Sequence, residues 1–151
     1  YQVHADEDVD KINIIFDNRN FDEPFAADLV KIEISALIIS PILCKARVLS
    51  IMKLFSPSLK EGKPITIVTR PPQDYKPEQQ PSIAQIIDIM KAAGITVITR
   101  SGIYQKYAVF DKAIVWYGSI SFLSFSNNEE TVMRFENSSI AGELLNAATE
   151  G

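Results

Sequence analysis

The residues best suited to chemistry are concentrated between positions 103 and 136. Lys106 precedes a short apolar run that ends at Asp111, and a second apolar run leads to the pair Gly118-Ser119. Glu130 opens a third β-rich run. A lysine beside a serine hydroxyl can hold phosphate oxygens, and a carboxylate can orient a neighbouring group or exchange a proton with it. These residue types therefore suit the binding or transfer of a phosphoryl group.

The spacing of these residues resembles the HKD motif of the phospholipase D superfamily: His-x-Lys, four residues, Asp, about six residues, and Gly-Ser-x-Asn. Here the same pattern reads Tyr104-Gln105-Lys106, then Asp111, then Gly118-Ser119-Ile120-Ser121. Glu130 fits the acidic residue that follows in the family. The runs SPILCKARV, TRPP and VWYGSISFLSF are similar to the DNA-acting, helicase-associated branch, so the resemblance covers most of the chain.

This resemblance implies a phosphodiesterase, and in the nuclease branch a hydrolase that cleaves nucleic-acid phosphodiesters without a metal ion or another cofactor. In the family mechanism one His attacks phosphorus and a second His protonates the leaving oxygen. Lys and the Ser and Asn groups hold the phosphoryl oxygens, and the carboxylate orients the imidazole. The implied catalytic positions are Tyr104, Lys106, Asp111, Ser119, Ser121 and Glu130, with Lys106 and Ser119 as phosphate ligands. A chain with one motif is expected to form a homodimer in which two motifs face each other across one site.

Two positions depart from the family motif. Tyr104 stands in the place of the nucleophilic His, and Ser121 stands in the place of the Asn. A tyrosine is a protonated phenol at neutral pH and needs a base before it can attack phosphorus. The sequence contains one histidine, His4, in a polar N-terminal stretch. We therefore expect little or no turnover by the family mechanism, whereas phosphate recognition does not need the imidazole and can persist.

Two similar apolar runs each end in Thr-Arg. ITIVTR ends at Arg70, and ITVITR ends at Arg100. Neighbouring parallel strands would place both guanidinium groups at their carboxyl ends, where α/β sheets usually bind ligands. Because arginine forks suit phosphate, we predict Arg70 and Arg100 as further phosphate ligands. The alternative is that these runs are only two similar buried strands.

Strands and helices alternate along the chain, which predicts a mixed α/β fold with helices on both faces of the sheet. The predicted strands are 11–16, 36–40, 65–69, 95–99, 107–111, 113–117 and 131–135. The predicted helices run from Asp22 through Ile32, over 44–55, from Ser82 to a C-cap at Gly94, and over 139–148. The proline-rich segment 70–81 predicts a surface loop rather than a domain linker.

Capping and periodicity add detail to these helices. Asp22 is the expected N-cap of the first helix, and Ser82 with Gln85 has the spacing of a capping box. The side chains expected to face inward are Val48, Leu49, Met52 and Phe55 in the second helix, and Ile140, Leu144 and Leu145 in the last one.

Length and composition are those of an ordinary globular domain. The chain has 151 residues, of which 46% are hydrophobic and 23% are charged, enough for one buried core. We therefore predict one domain over residues 1–151, and the start at Tyr1 is compatible with a piece of a longer protein that carries further domains. A net charge of −4 argues against a nonspecific polycation but allows a local basic cleft.

Cysteine content and hydropathy bear on metal binding, cellular location and membrane association. The single cysteine, Cys44, allows no intrachain disulfide and no cysteine-based zinc site, so we predict no metal and a reducing, cytoplasmic location. Apolar runs such as 36–39 are far too short to span a bilayer, and the acidic N-terminus lacks the apolar core of a signal peptide. We expect no association with membranes.

Three interpretations follow from the sequence. The first is a homodimeric phospholipase D-like nuclease whose activity is impaired at Tyr104. The second is a non-catalytic module that binds phosphate or nucleic acid for a larger DNA-processing protein, and the third is a dimerisation domain without a ligand. Salt-dependent DNA binding separates the second from the third, and turnover separates the first from both. Trp116 and Tyr117 could stack on bases, but packing in the core or a dimer interface is the favoured interpretation.

Overall fold

The computed structural model describes residues 14–125 and 129–150. The strands are β1 Ile15–Asp17, β2 Ala36–Ile39, β3 Ile65–Thr69, β4 Thr96–Thr99, β5 Tyr107–Phe110, β6 Ile114–Gly118 and β7 Thr131–Glu136. The helices are α1 Asp22–Val30, α2 Lys45–Lys60, α3 Gln80–Ala92 and α4 Ser138–Glu150, and a 3-10 turn covers Pro72–Asp74. Within these ranges, seven strands form one sheet in the order β1-β7-β6-β5-β2-β3-β4. The predicted mixed α/β fold is confirmed.

The direction of the strands changes in the middle of the sheet. Strands β2, β3 and β4 are parallel, and α2 and α3 make the crossovers between them. Strand β5 is antiparallel to β2, and β6, β7 and β1 continue as an antiparallel meander. The carboxyl ends of β2, β3, β4, β6 and β1 therefore share one edge with the amino ends of β5 and β7. We call this the upper edge, which carries Thr69, Lys106 and Ser119, and the opposite one the lower edge.

Helices cover both faces of the sheet, as predicted, but unequally. The larger apolar cluster joins one face to α1, α2 and α3, and the smaller cluster joins the other face to α4. At the centre of the larger cluster lies the ring of Phe25, fully buried on α1. Its centroid is 5.6 Å from that of Phe110, 5.2 Å from that of Trp116 and 4.8 Å from that of Phe122. This aromatic group connects α1 to β5, β6 and the loop after β6.

A buried polar group completes the same region. The carboxylate of Asp28 accepts a hydrogen bond from Trp116 Nε1 at 2.8 Å and one from Arg134 Nε at 2.7 Å. The Asp28 hydrogen bond also raises the pKa of Arg134. Since buried polar groups are costly unless they are paired, these three side chains satisfy one another and join α1, β6 and β7. Trp116 is fully buried, so its role is in the core and no ring face is open to a base.

Several helix boundaries differ from the predictions. Phe21, not Asp22, is the N-cap of α1, and Asp22 instead forms an ion pair with Arg47 at 2.6 Å. Helix α3 begins at Gln80, so Ser82 lies within its first turn and the predicted capping box does not form. Ala93 is the C-cap of α3, and Gly94 follows it with φ of 102°, the left-handed conformation that favours a glycine after the end of a helix.

The buried face of α2 is rotated relative to the prediction. Leu49 is exposed, and α2 continues beyond Phe55 to Lys60. The buried residues of α2 are Arg47, Val48, Ile51, Phe55 and Ser58. In α4, Leu144 and Leu145 pack against the smaller cluster as predicted, whereas Ile140 is exposed. Residues 11–13 of the first predicted strand lie outside the described residues, as does His4.

Asp111 stands at the lower edge, at the opposite end of β5 from Lys106. Five residues of strand span about 16 Å, so the two side chains do not share a site, contrary to the sequence expectation. The Asp111 carboxylate accepts hydrogen bonds from the backbone N–H groups of Glu33 at 3.0 Å and Ile34 at 2.8 Å, with Ser35 at 3.3 Å. It therefore holds the turn that leads from α1 into β2.

This role predicts a graded loss of stability at position 111. Asp111→Ala should lower the free energy of unfolding by about 2 kcal/mol, because several backbone donors lose a charged acceptor. Alanine also fits poorly at the φ of 54° found there. Asp111→Asn keeps an acceptor and tolerates that φ, so its loss should be less than half as large. Urea unfolding of the three proteins measures the difference, and equal stability of all three would contradict the assignment.

Candidate functional site

Lys106 lies at the upper edge, immediately before β5. Its Nζ donates a hydrogen bond to the carbonyl oxygen of Ser119 at 3.3 Å and lies 4.0 Å from Glu130 Oε2. These residues stand at the adjoining ends of β5, β6 and β7. The Lys106 side chain is 24% exposed, so the ammonium group is held in place while part of it still faces solvent. The structure thus brings together three of the residues that the sequence singled out.

Gly118-Ser119 is fitted closely against β7. A Cβ at Gly118 would overlap the carbonyl oxygen of Thr131 and lie 2.7 Å from Cα of Val132. The backbone N–H of Ser119 donates to the Thr131 carbonyl at 2.9 Å, and its hydroxyl accepts from the Thr131 N–H at 3.1 Å. The glycine is therefore required by close approach of β7. The Ser119 hydroxyl is engaged with the backbone, while its carbonyl positions Lys106.

Ser121 and Glu130 both line a small cavity. The cavity has a volume of about 90 Å³, and Phe21 and Arg47 also line it. Ser121 is buried, and the Glu130 side chain is 13% exposed. Glu130 therefore lies near Lys106 and also lines the cavity that Ser121 lines.

Arg47 supports this region, and the sequence reasoning missed it. Its Nε donates to the carbonyl oxygen of Phe122 at 2.9 Å, and its side chain is 8% exposed. The Cys44 N–H donates to the Leu123 carbonyl at 2.8 Å, so the start of α2 holds the same loop. The available signal was a cation in the apolar stripe of α2, at four-residue spacing from Ile51.

A second group at the upper edge surrounds Arg70. Its guanidinium carbon lies 4.6 Å from the centroid of the Tyr104 ring, and one of its terminal nitrogens donates to the Tyr104 hydroxyl at 3.2 Å. On the other side, Nε of Arg70 lies 3.2 Å from Asp74 Oδ2. Tyr104 itself is 73% exposed. Arg70 therefore contacts both the Asp74 carboxylate and Tyr104.

Asp74 is held by the loop that precedes Tyr104. It accepts a hydrogen bond from the Ser101 hydroxyl at 2.6 Å and one from the Gly102 N–H at 2.8 Å. These two bonds, followed by the charge of Arg70, hold the pKa of Asp74 below its ordinary value of 3.8. This group connects the turn after β3 to the loop after β4 and fixes the base of the Tyr104 segment.

Arg100 points away from this group. One of its terminal nitrogens donates to the carbonyl oxygen of Ala148, near the end of α4. Strand alternation does not distinguish the two arginines, because Val68 and Ile98, which lie two residues before Arg70 and Arg100, are register partners on the same face of the sheet. The parallel pairing of β3 and β4 is as expected, but only Arg70 of the two arginines lies beside Tyr104.

Acidic residues surround the cations of the upper edge. An open depression of about 490 Å³ beside Ser119 is lined by Asp17, Arg19, Glu129 and Glu130, among others. Backbone and side-chain hydrogen bonds from Arg19 lower the pKa of Asp17, so this carboxylate is charged at neutral pH. The upper edge is thus a set of paired charges rather than a strongly basic cleft.

Two features are absent from residues 14–125 and 129–150, the part of the chain that the structure describes. No group of three or more His, Cys, Asp and Glu side chains in that part is placed to hold a metal ion. No helix in it is long and apolar enough to cross a membrane.

The arrangement of strands and helices matches solved structures closely. NucT from Helicobacter pylori superposes with a TM-score of 0.70 at 16% identity, over 90% of this chain and 92% of that one. Nuc from Salmonella typhimurium, a phospholipase D family member, gives 0.66 at 20% identity, over 83% of this chain and 82% of that one. The chain has the phospholipase D fold. No protein-family model and no curated protein matches its sequence.

A larger protein with a different description is also similar to this chain. TrmBL2, an archaeal chromatin protein with a novel mode of DNA binding, matches with a TM-score of 0.61 at 11% identity. The alignment covers 91% of this chain and 51% of TrmBL2. At such identities the likeness concerns the fold alone.

The hydrogen bonds to Asp74 predict a pH effect. Because the folded-state pKa lies below the ordinary value of 3.8, the stabilisation is complete above that value and is lost as pH falls through the folded-state pKa. Ser101→Ala removes the largest cause, so Asp74 should titrate closer to 3.8. An NMR pH titration of the Asp74 carboxyl carbon measures this, with Ser124→Ala as the control. An unchanged titration in Ser101→Ala would contradict the assignment.

Proposed function

We propose that the chain is a phospholipase D-like phosphodiesterase domain of the nuclease type, which binds nucleic-acid phosphodiesters at the upper edge. Lys106 contacts the phosphate, and Ser119 and Glu130 position Lys106. In this proposal the chemistry needs no metal ion, and the chain cleaves its ligand weakly or not at all. The observation that supports it best is the convergence of Lys106, Ser119 and Glu130 from three strand ends in the phospholipase D fold.

The contacts of Tyr104 support impaired cleavage. Within the described residues its hydroxyl has one hydrogen-bond partner, Arg70, which is a donor and cannot accept the phenolic proton. A phenol without a base is a poor nucleophile at neutral pH. The described residues include no histidine, so neither the nucleophile nor the leaving-group acid of the family mechanism has its usual side chain.

A homodimer belongs to this proposal. The sequence carries one copy of the motif, from Tyr104 to Ser121, whereas the family mechanism uses two motifs across one site. We expect the upper edges of two copies to face each other. A monomeric variant should then lose ligand affinity together with dimerisation, as measured by oligonucleotide titration after gel filtration, and a monomer with full affinity would contradict the shared site.

A non-catalytic binding module is the second candidate. The pairing of Lys106 with Glu130 and of Arg70 with Tyr104 and Asp74 favours it, because each group is held in position without a nucleophile beside it. Such a module would hold nucleic acid for other domains of a larger protein, such as a helicase. It shares the phosphate contact with the first candidate and differs only in turnover.

Cleavage by Tyr104→His separates the two candidates. Labelled single- and double-stranded DNA is incubated in EDTA with the parent chain and with the variant. We expect no cleavage by the parent and cleavage by the variant, because an imidazole restores the nucleophile and, in a dimer, the acid. The double variant Tyr104→His with Lys106→Gln is the control and should be inactive.

Two outcomes would change this proposal. Absence of DNA cleavage by a folded Tyr104→His dimer would favour the binding module. Cleavage by the parent chain would contradict our account of Tyr104.

The phosphate contact is tested by two lysines at opposite ends of β5. Lys106→Gln should weaken binding of a labelled oligonucleotide about tenfold, because one charge-assisted contact is lost. Lys112→Gln removes the same charge from the lower edge and should leave the affinity unchanged. Fluorescence anisotropy at low salt measures both, and equal losses in the two variants would show that binding is only a matter of net charge.

A further inference from the structure

We infer that Tyr104 is a stacking platform for an unpaired base, so that the ligand of the upper edge is single-stranded nucleic acid. This inference rests on the proposed function, since it concerns the same site. Stacking on a nucleobase requires no general base, because no proton is removed from the Tyr104 hydroxyl. Aromatic rings beside cationic groups are the usual elements of single-strand binding surfaces.

The ring of Tyr104 is both accessible and held. It is 73% exposed, and no other aromatic ring packs on it within the described residues. The Arg70 guanidinium contacts the ring at 4.6 Å and bonds its hydroxyl at 3.2 Å. Arg70 is fixed in turn by Asp74. A ring held by one neighbour loses little freedom when a base stacks on its open side.

Tyr104 and Lys106 are placed to contact one nucleotide together. They are two residues apart in the segment before β5, so their Cα atoms are at most about 7 Å apart. The Lys106 ammonium has three N–H donors, of which the Ser119 carbonyl accepts from one, so donors remain for a phosphate. A base on Tyr104 thus brings its own backbone phosphate within reach of Lys106.

The charges of the upper edge favour a single strand over a duplex. Lys106 and Arg70 each have a carboxylate beside them, so few cations are available to phosphates. Duplex binding without base contacts depends on many phosphate contacts. The bases of a duplex are already stacked on one another and offer no face to Tyr104. The remaining contribution to binding is stacking on the exposed Tyr104 ring, and only unpaired bases can make it.

Tyr117 is an exposed aromatic residue that we do not expect to stack on a base. It is also exposed, at 41%, but it lies on β6 with its ring stacked on Tyr107 at a centroid distance of 5.5 Å. Tyr107 belongs to the cluster beneath α4. Tyr117 therefore stands on the other face of the sheet from the helices α1 to α3 and has no cation beside it among the described contacts. It serves as the matched control.

The test measures the binding of a labelled oligo-dT to the full chain. Tyr104→Leu, which keeps an apolar group but no ring, should bind about tenfold more weakly, whereas Tyr104→Phe keeps the ring and should lose much less. Tyr117→Leu should bind as the parent does. The parent should also bind oligo-dT about tenfold more tightly than an abasic oligonucleotide of equal length, and Tyr104→Leu should not distinguish the two.

Salt dependence and a duplex complete the experiment. The one phosphate that Lys106 neutralises predicts a slope of about −0.7 in a plot of log K against log salt concentration, and a duplex of the same length should bind more weakly than oligo-dT. If oligo-dT binds through Lys106 but Tyr104→Leu binds as tightly as the parent, the stacking role is wrong and the phosphate site stands. If oligo-dT does not bind at all, both proposals fail.

Discussion

Strand β5 pairs antiparallel with β2, and this pairing decides which strand ends meet at each edge of the sheet. Because β5 is reversed, its amino end, with Lys106, lies beside the carboxyl end of β2. The hairpin to β6 then returns Gly118-Ser119 to the same edge, and β7 starts there with Glu130. The same reversal sends Asp111 to the lower edge. Lys106 and Asp111 therefore lie at opposite ends of β5, where Asp111 supports the fold and Lys106 is suited to contact a ligand.

Contacts with the backbone, and not contact with a ligand, explain why several residues near the upper edge are of their particular types. Gly118 is required because β7 passes too close for a Cβ, and the Ser119 hydroxyl is used by Thr131. Arg47 reaches from α2 to the loop after β6 through the carbonyl of Phe122. The position of Lys106 therefore depends on contacts that extend from α2 to β7. Such support limits how far the upper edge can move when a ligand binds.

Much of this could be predicted from the sequence, because apolar periodicity and turn residues identified the strands and the hairpin that unites Lys106 with Ser119. Motif spacing failed for Asp111, because it does not distinguish residues that share a site from residues at two ends of a strand. The Thr-Arg repeat did not show that the two arginines have different partners beyond the strand ends, where Arg100 bonds the Ala148 carbonyl of α4 and Arg70 contacts Tyr104. The contacts of Arg47 join segments distant in sequence, and no local pattern contains them.

We expect the upper edge, and no other surface, to bind a phosphodiester chain. Backbone amide shifts in an NMR titration with a short single-stranded oligonucleotide test it most directly. The account predicts that the largest shifts lie at Lys106, Ser119 and Thr131. The amides of Glu33 and Ile34, which bond Asp111 at the lower edge, should stay unchanged. Shifts centred on the lower edge, or on the α4 face, would contradict the account.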